Sequence, residues 1–354
     1  MADGVYEKLR EHLDSLPMGI PKTESGAEIK LLKKLFSEEE AKMACRMTLM
    51  PETVEQIAKR LSRSPQEIAD FLYGMSKKGL LMRYKSGGKT IYMSAMFIVG
   101  IFEYQVGTLD KEFVDLAHQY AKEAMHQAMI APDTPQLRVV PVHESLDATL
   151  EIAPYDELRK ILSSQRVIAL AECICRKMRG IAGAPCHAPL ESCLVFGAIG
   201  EFYIENGIAR QITLNEAFEV LKRNESAGLV PSPANAQKVG GMCSCCSCCC
   251  ELLKAIKLDA CPSRKVKSNY FARVDEQICI GCEICLDRCQ MEAIKMLDEK
   301  ASIDLDRCVG CGLCVTTCPP ESLSLVHKSP GELYVPPDKP FETYRRIAME
   351  RGKI

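Results

Sequence analysis

The densest chemistry in the chain lies between Cys279 and Pro319. Cys279-x-x-Cys282-x-x-Cys285-x-x-x-Cys289 is followed by Cys308-x-x-Cys311-x-x-Cys314-x-x-x-Cys318-Pro319. One spacing is written twice, and each copy supplies four thiols, the number a cubane iron–sulfur cluster takes as thiolates. A structural zinc site also needs four ligands, but it gives no reason for the triple Cys-x-x-Cys-x-x-Cys to recur. Disulfides between close-set thiols would call for an export signal. The first residues, Met1-Ala2-Asp3-Gly4-Val5-Tyr6-Glu7-Lys8, hold no apolar signal core. The duplicated motif is therefore read as two [4Fe–4S] sites.

Twenty cysteines are present, and nineteen of them lie from Cys173 onward. Cys45 stands in a helical pattern, where a buried, inert thiol is expected. The middle cysteines begin with Cys173-Ile174-Cys175-Arg176, with ten residues between Cys175 and Cys186 and six between Cys186 and Cys193. This spacing matches no standard cluster motif. It falls in a stretch bearing Gly180, Gly183, Pro185 and Pro189 that could wrap a third [4Fe–4S] site. A zinc site or scattered buried thiols are the alternatives, and His187 is a substitute ligand. Cys243-Ser244-Cys245-Cys246-Ser247-Cys248-Cys249-Cys250 then packs six thiols into eight residues. Neighbouring thiolates repel unless a soft metal neutralises them. A helical run would put Cys243, Cys246 and Cys250 on one face and Cys245, Cys248 and Cys249 on the other. Such a nest suits a cluster or a polynuclear zinc or copper site. Cys261-Pro262 follows closely, so eleven thiols outside the duplicated motif are available for one or two further clusters, in a pairing the spacing leaves open.

These residues belong to a chain of 354 residues with a net charge of −2, long enough for two or three domains. No global basic field draws it to nucleic acid or to an anionic membrane. The longest apolar runs, 93–102 and 194–202, are too short to span a bilayer, and a cytoplasmic protein is expected. Segments 5–16 and 27–36 carry apolar residues at helical spacing. Ser37 to Glu40, Thr53 to Gln56 and Ser64 to Glu67 are helix-opening signals, the last with Pro65 in its first turn. A hairpin over 80–94 follows, turning at Lys85-Ser86-Gly87-Gly88-Lys89.

Three helices and a hairpin resemble a winged-helix domain. Its third helix would offer Gln66, Glu67, Asp70 and Tyr73 to a groove, and acidic groups there repel phosphate. Arg83, Lys85 and Lys89 of the wing favour DNA but also suit a solvated hairpin. Packing or protein contacts are expected over nucleic acid. Further along, helices are expected over 110–129, 155–162, 191–205 and 213–227, with strands over 137–142 and 166–171.

Residues 271–327 resemble a bacterial-type two-cluster ferredoxin module. In such modules the fourth cysteine of each motif crosses to the other cluster. The resemblance implies that Cys279, Cys282, Cys285 and Cys318 hold one [4Fe–4S] cluster, and that Cys308, Cys311, Cys314 and Cys289 hold the second. It also implies that Gly281, Gly310 and Gly312 let backbone N–H groups approach sulfur. One departure is Gln290, which stands where a proline commonly follows the fourth cysteine. The order as a whole resembles a group of anaerobe proteins described only as 4Fe-4S dicluster-domain proteins. That resemblance implies cluster binding and brings no reaction with it.

The expected fold class is α+β: N-terminal helices (1–36), a winged-helix-like domain (37–105), a cysteine-rich middle domain (106–265), a ferredoxin domain (266–328) and a tail helix (329–354). The expected function is electron transfer through two [4Fe–4S] clusters, with at least one additional iron–sulfur cluster at the middle cysteines. The expected partner is a redox protein or oxidoreductase complex of anaerobic metabolism. The oligomeric state is left open. Alternatives are a redox-responsive winged-helix regulator and a metal-thiolate store or carrier. No glycine-rich phosphate or dinucleotide motif is present, and no Ser/His/Asp set stands out, so an electron-transfer protein is expected rather than a stand-alone enzyme.

Overall fold

A computed structural model describes residues 3–146 and 152–354. Met1 and Ala2, in the expected N-terminal segment, and residues 147–151, in the expected middle domain, lie outside the described residues. Helices and strands are mixed, as in an α+β protein.

Helices α1 (Asp3–Asp14) and α2 (Ala27–Leu35) bury Leu9, Leu13, Leu31 and Leu32 in a core shared with the next helices. The three cap signals act as the sequence implies. Ser37 opens α3 (Glu38–Ala44) and Thr53 opens α4 (Val54–Leu61), each through a complete capping box. Ser64 caps α5 (Pro65–Lys77), and Gly79 turns the chain at φ +73°. Strand β1 (Glu52–Thr53) joins the hairpin β2 (Leu81–Ser86) and β3 (Lys89–Ser94) in an antiparallel sheet of order β1-β3-β2. The wing differs from expectation at Arg83. This residue is buried, and its guanidinium reaches Ser76, the Asn206 side chain and Glu205 at 2.6, 2.8 and 3.1 Å. The wing cation is used to dock the hairpin.

The helix expected over 110–129 is α6 (Lys111–Tyr120), a π-turn over Ala121–Met125, and α7 (His126–Ile130). The strand expected over 137–142 is an extended strap instead. Its N–H groups donate to Pro233, Val266, Pro231 and Cys311 carbonyls in turn, so it stitches elements together and joins no regular ladder. Helix α8 (Leu158–Ser163) follows.

The centre is an antiparallel five-stranded sheet of order β6-β4-β5-β8-β7. Its strands are β4 (Ile168–Glu172), β5 (Glu191–Phe196), β6 (Ala209–Gln211), β7 (Val230–Pro233) and β8 (Gly241–Cys245), with α9 (Ile174–Ile181), α10 (Gly197–Glu205) and α11 (Leu214–Ser226) between them. The helix expected over 191–205 is therefore half strand. Gly197 at φ +54° separates β5 from α10, and the alternation of Leu194 and Phe196 with Val195 serves two faces. Ile168, Leu170, Leu194, Phe196 and Met242 fill the core on one face. Ala169, Ala171, Cys193 and Val195 turn to the other, toward the N-terminal helices.

Helices α12 (Glu251–Leu258) and α13 (Pro262–Lys265) lead to the duplicated motif. There β9 (Tyr270–Val274) pairs with β12 (Leu323–His327), and β10 (Ile294–Leu297) pairs with β11 (Lys300–Ile303), around α14 (Ile284–Arg288). The tail helix α15 (Pro340–Glu350) folds back on the chain. Arg351 donates to the Leu16 and Pro17 carbonyls at 2.7 and 2.9 Å, and Glu350 accepts from the Thr134 hydroxyl at 2.5 Å.

Candidate metal centres

The duplicated motif forms two separate cavities inside one apolar core. Cys279, Cys282, Cys285 and Cys318 line one, and Cys289, Cys308, Cys311 and Cys314 line the other. Each cavity thus draws three cysteines from one motif and the fourth from the other. Backbone N–H groups point at the sulfurs: Ala272 to Cys308 at 3.4 Å and Ala293 to Cys289 at 3.2 Å. Hydrogen bonds from the Ala301 and Gly281 backbones hold the Cys279 thiol below its ordinary range. Gly281 and Gly310 are required by geometry. Both have positive φ, and a Cβ would collide with the carbonyl oxygens of Glu299 and Tyr270 respectively. Burial pushes the Cys311 thiol up to about 12 and raises Cys314 and Cys308 as well. Thiols so buried ionise only against a metal, and four sulfurs with amide donors around each cavity fit a cubane. When bound, such a cluster would accept and release one electron.

The middle cysteines separate into two further groups. Cys173, Cys175, Cys193, Cys243, Cys245 and Cys250 line one chamber with Glu103, Arg176 and Tyr203, and Cys246 and Cys249 reach the same wall. Side-chain contacts run from Cys173 to Cys175, on to Cys250, Cys245, Cys243 and Cys193. This necklace arises from local geometry. The run from Cys243 begins as strand β8, so Cys243 and Cys245 share a face, and Cys250 returns at the start of α12. The register Leu194↔Met242 sets Cys193 beside Cys243. Cys173 precedes α9 and Cys175 lies in its first turn. Hydrogen bonds from Cys175 and Cys245 draw the Cys250 thiol down to about 5. Contact with Cys243 and burial hold Cys193 well above its usual range. All six ionise together only around a metal core. Arg176 faces this anionic chamber with a buried Nε that has no hydrogen-bond partner among the described residues. The donor set fits an iron–sulfur cluster.

Cys186 does not join Cys173, Cys175 and Cys193. It meets Cys246, Cys248 and Cys249, whose sulfurs all lie within 4.8 Å of one another and of its own. The vicinal run is strand and turn, not a helix, so the sulfur contacts join Cys243, Cys245 and Cys250 to the chamber chain and gather Cys246, Cys248 and Cys249 about Cys186, with Cys246 and Cys249 between the two groups. Cys261 reaches neither group among the described residues, and its thiol bonds Asp306 Oδ1 at 3.0 Å. His187 is exposed. Cys45 is half-buried, and burial raises its thiol, as suits an inert position.

Gln290 links the two regions. Its Oε1 accepts from Ser247 N–H at 2.8 Å and Ser247 Oγ–H at 3.1 Å, in the middle of the vicinal run. A proline there offers no side-chain acceptor. Gln290→Ala is expected to retain all ferredoxin-module iron while costing about 1–3 kcal/mol through the unsatisfied Ser247 groups. A lowered denaturation midpoint at unchanged iron content checks this.

Spacing along the chain gives no role to Arg176, Glu103 or the pair His126–Glu251. Arg176 sits next to Cys175, and adjacency to Cys-x-Cys was its available signal. Glu103 follows a long apolar run, and burial pushes its carboxyl up to about 8. Glu251, directly after Cys250, accepts from His126 at 2.7 Å and from Lys254 at 2.8 Å, fixing the start of α12.

Residues 272–325 match the family model described as a 4Fe-4S dicluster domain, so this segment is an iron–sulfur, ferredoxin-like module. None of the curated proteins and no solved structure matches the chain. The dicluster domain points to iron–sulfur electron transfer. Among the described residues no helix is long and apolar enough to cross a membrane.

Proposed function

We propose that this protein relays single electrons between a partner oxidoreductase of anaerobic metabolism and a third iron–sulfur cluster in the six-cysteine chamber, by way of two [4Fe–4S] clusters. The observation that carries the reading is one shared apolar core. It holds Cys245 and Cys250 of the chamber together with Cys289 and Cys311 of the second ferredoxin cavity, packed with Val139, Val142, Val309 and Leu313. The strap reinforces it, because Val142 N–H donates to the Cys311 carbonyl at 2.9 Å. Dry, close-packed surroundings of this kind limit solvent reorganisation as charge moves. The first ferredoxin cavity is the outer end of the relay. Cys282 is exposed there, and so are Ile278, Ile280 and Ile284, an apolar rim suited to a transient protein contact.

The segment 37–105 then serves as a winged-helix-like scaffold in the cytoplasmic protein, without nucleic acid. Arg83 is committed to Glu205 and Asn206, while Gln66, Glu67 and Asp70 face outward from α5. Anaerobic purification with iron and acid-labile sulfide counts tests the relay. About twelve of each per chain are expected, falling to about eight in Cys193→Ala. A wild-type count of about eight would remove the chamber cluster from the reading.

A further inference from the structure

The group Cys186, Cys246, Cys248 and Cys249 has a geometry of its own. Cys186 Sγ lies 3.6 Å from Cys248 Sγ and 3.9 Å from Cys246 Sγ, and Cys248 lies 3.6 Å from Cys249. A tetrahedral ion with metal–sulfur bonds of about 2.3 Å holds its four sulfurs about 3.8 Å apart. A cubane sets its ligand sulfurs beyond the corners of an iron core and therefore holds them wider. The same molecule supplies the comparison. Among the described residues, the sulfur sets of the two ferredoxin cavities do not close to within 4.8 Å, whereas this set does.

We propose that Cys186, Cys246, Cys248 and Cys249 bind a single divalent ion of the zinc class as a mononuclear tetrathiolate, distinct from the iron–sulfur sites. The surroundings match a dianionic centre. The guanidinium of Arg176, buried, donates from Nη1 to Cys246 Sγ at 3.7 Å, and Ala188 N–H donates to Cys186 Sγ at 3.5 Å. Arg176 is itself held by the Ser244 carbonyl at 2.9 Å and by Ser192 Oγ. The ion ties the loop after α9 to the turn between β8 and α12. Both ends of that turn, Cys245 and Cys250, line the chamber. The metal is thus a clamp that sets the shape of the chamber and carries no electron. Zinc has no redox chemistry and its closed four-sulfur sites are structural.

Full-length protein purified anaerobically is analysed for zinc, iron and labile sulfide, and then loaded with cobalt(II) as the probe in place of zinc. One zinc per chain is expected, together with a tetrahedral thiolate–cobalt spectrum of one equivalent. Cys248→Ser, at the exposed member of the set, should abolish that spectrum and the zinc while leaving labile sulfide unchanged. Cys186→Ser should do the same, guarding against a folding failure in either variant alone. A fall of about four sulfides per chain in either variant would show a cluster at these cysteines and overturn the proposal. Absence of both zinc and a tetrahedral cobalt spectrum in the parent protein would also overturn it. Neither result bears on the Cys193→Ala sulfide count, so the relay stands or falls separately.

Discussion

Cys289→Ala combined with Cys308→Ala is expected to remove about four irons per chain, whereas Cys289→Ala combined with Cys285→Ala removes about eight. The two pairs differ because Cys289 shares a cavity with Cys308 and not with Cys285. The mirror pairs behave likewise: Cys318→Ala with Cys279→Ala costs one cluster, and Cys318→Ala with Cys314→Ala costs both. Ligation in simple sequence order reverses every one of these outcomes, so iron and sulfide counts on four double variants decide the matter. The electron paramagnetic resonance signal of the reduced protein adds a second reading. Cys289→Ala and Cys308→Ala should leave the same residual signal.

Arg138→Ala is expected to destabilise the protein by about 3–5 kcal/mol, because it strands a buried carboxylate. Arg138 and Asp156 are both buried, with Nη1 and Oδ1 2.5 Å apart, and Arg138 also donates to the Tyr155 carbonyl. The other Asp156 oxygen accepts from Asn269 Nδ2 at 2.8 Å, and Asn269 Oδ1 accepts from Tyr334 N–H at 2.7 Å. The network therefore joins the strap, the residue before β9, and the tail. Removing the cation leaves Asp156 with one neutral donor in a low-dielectric setting. The double variant Arg138→Leu with Asp156→Leu should be less damaging than Arg138→Ala, since no unpaired charge remains. Denaturant midpoints measured anaerobically on the loaded protein check both. A loss under about 1 kcal/mol for Arg138→Ala would mean that water reaches Asp156.

Chain-local features were legible in advance. Capping boxes at Ser37 and Thr53 and the cap at Ser64 act over three residues, so their residue types suffice. The stretch over 191–205 was not legible as strand plus helix, since a short apolar run fits both periods and the decision came from pairing with β4 and β8. Arg83 misled for the same reason. A hairpin cation reads as solvated until Glu205 and Asn206, more than a hundred residues away, are seen beside it.

The cysteine spacing by itself determined the duplicated motif and its cluster chemistry, because each Cys-x-x-Cys-x-x-Cys triplet must converge on one centre whatever surrounds it. It also marked the region from Cys173 to Cys250 as a candidate metal site, since vicinal thiolates repel unless a soft metal neutralises them. Tertiary structure decided how those thiols are shared. A strand ending at Cys245 and a helix starting after Cys250 send the two ends of one run to the chamber and leave its middle, Cys246, Cys248 and Cys249, with Cys186. Cys186 lies sixty residues from Cys246 in sequence and 3.9 Å away in space. Such partition is set by sheet register and loop packing, which act between segments that spacing along the chain does not relate.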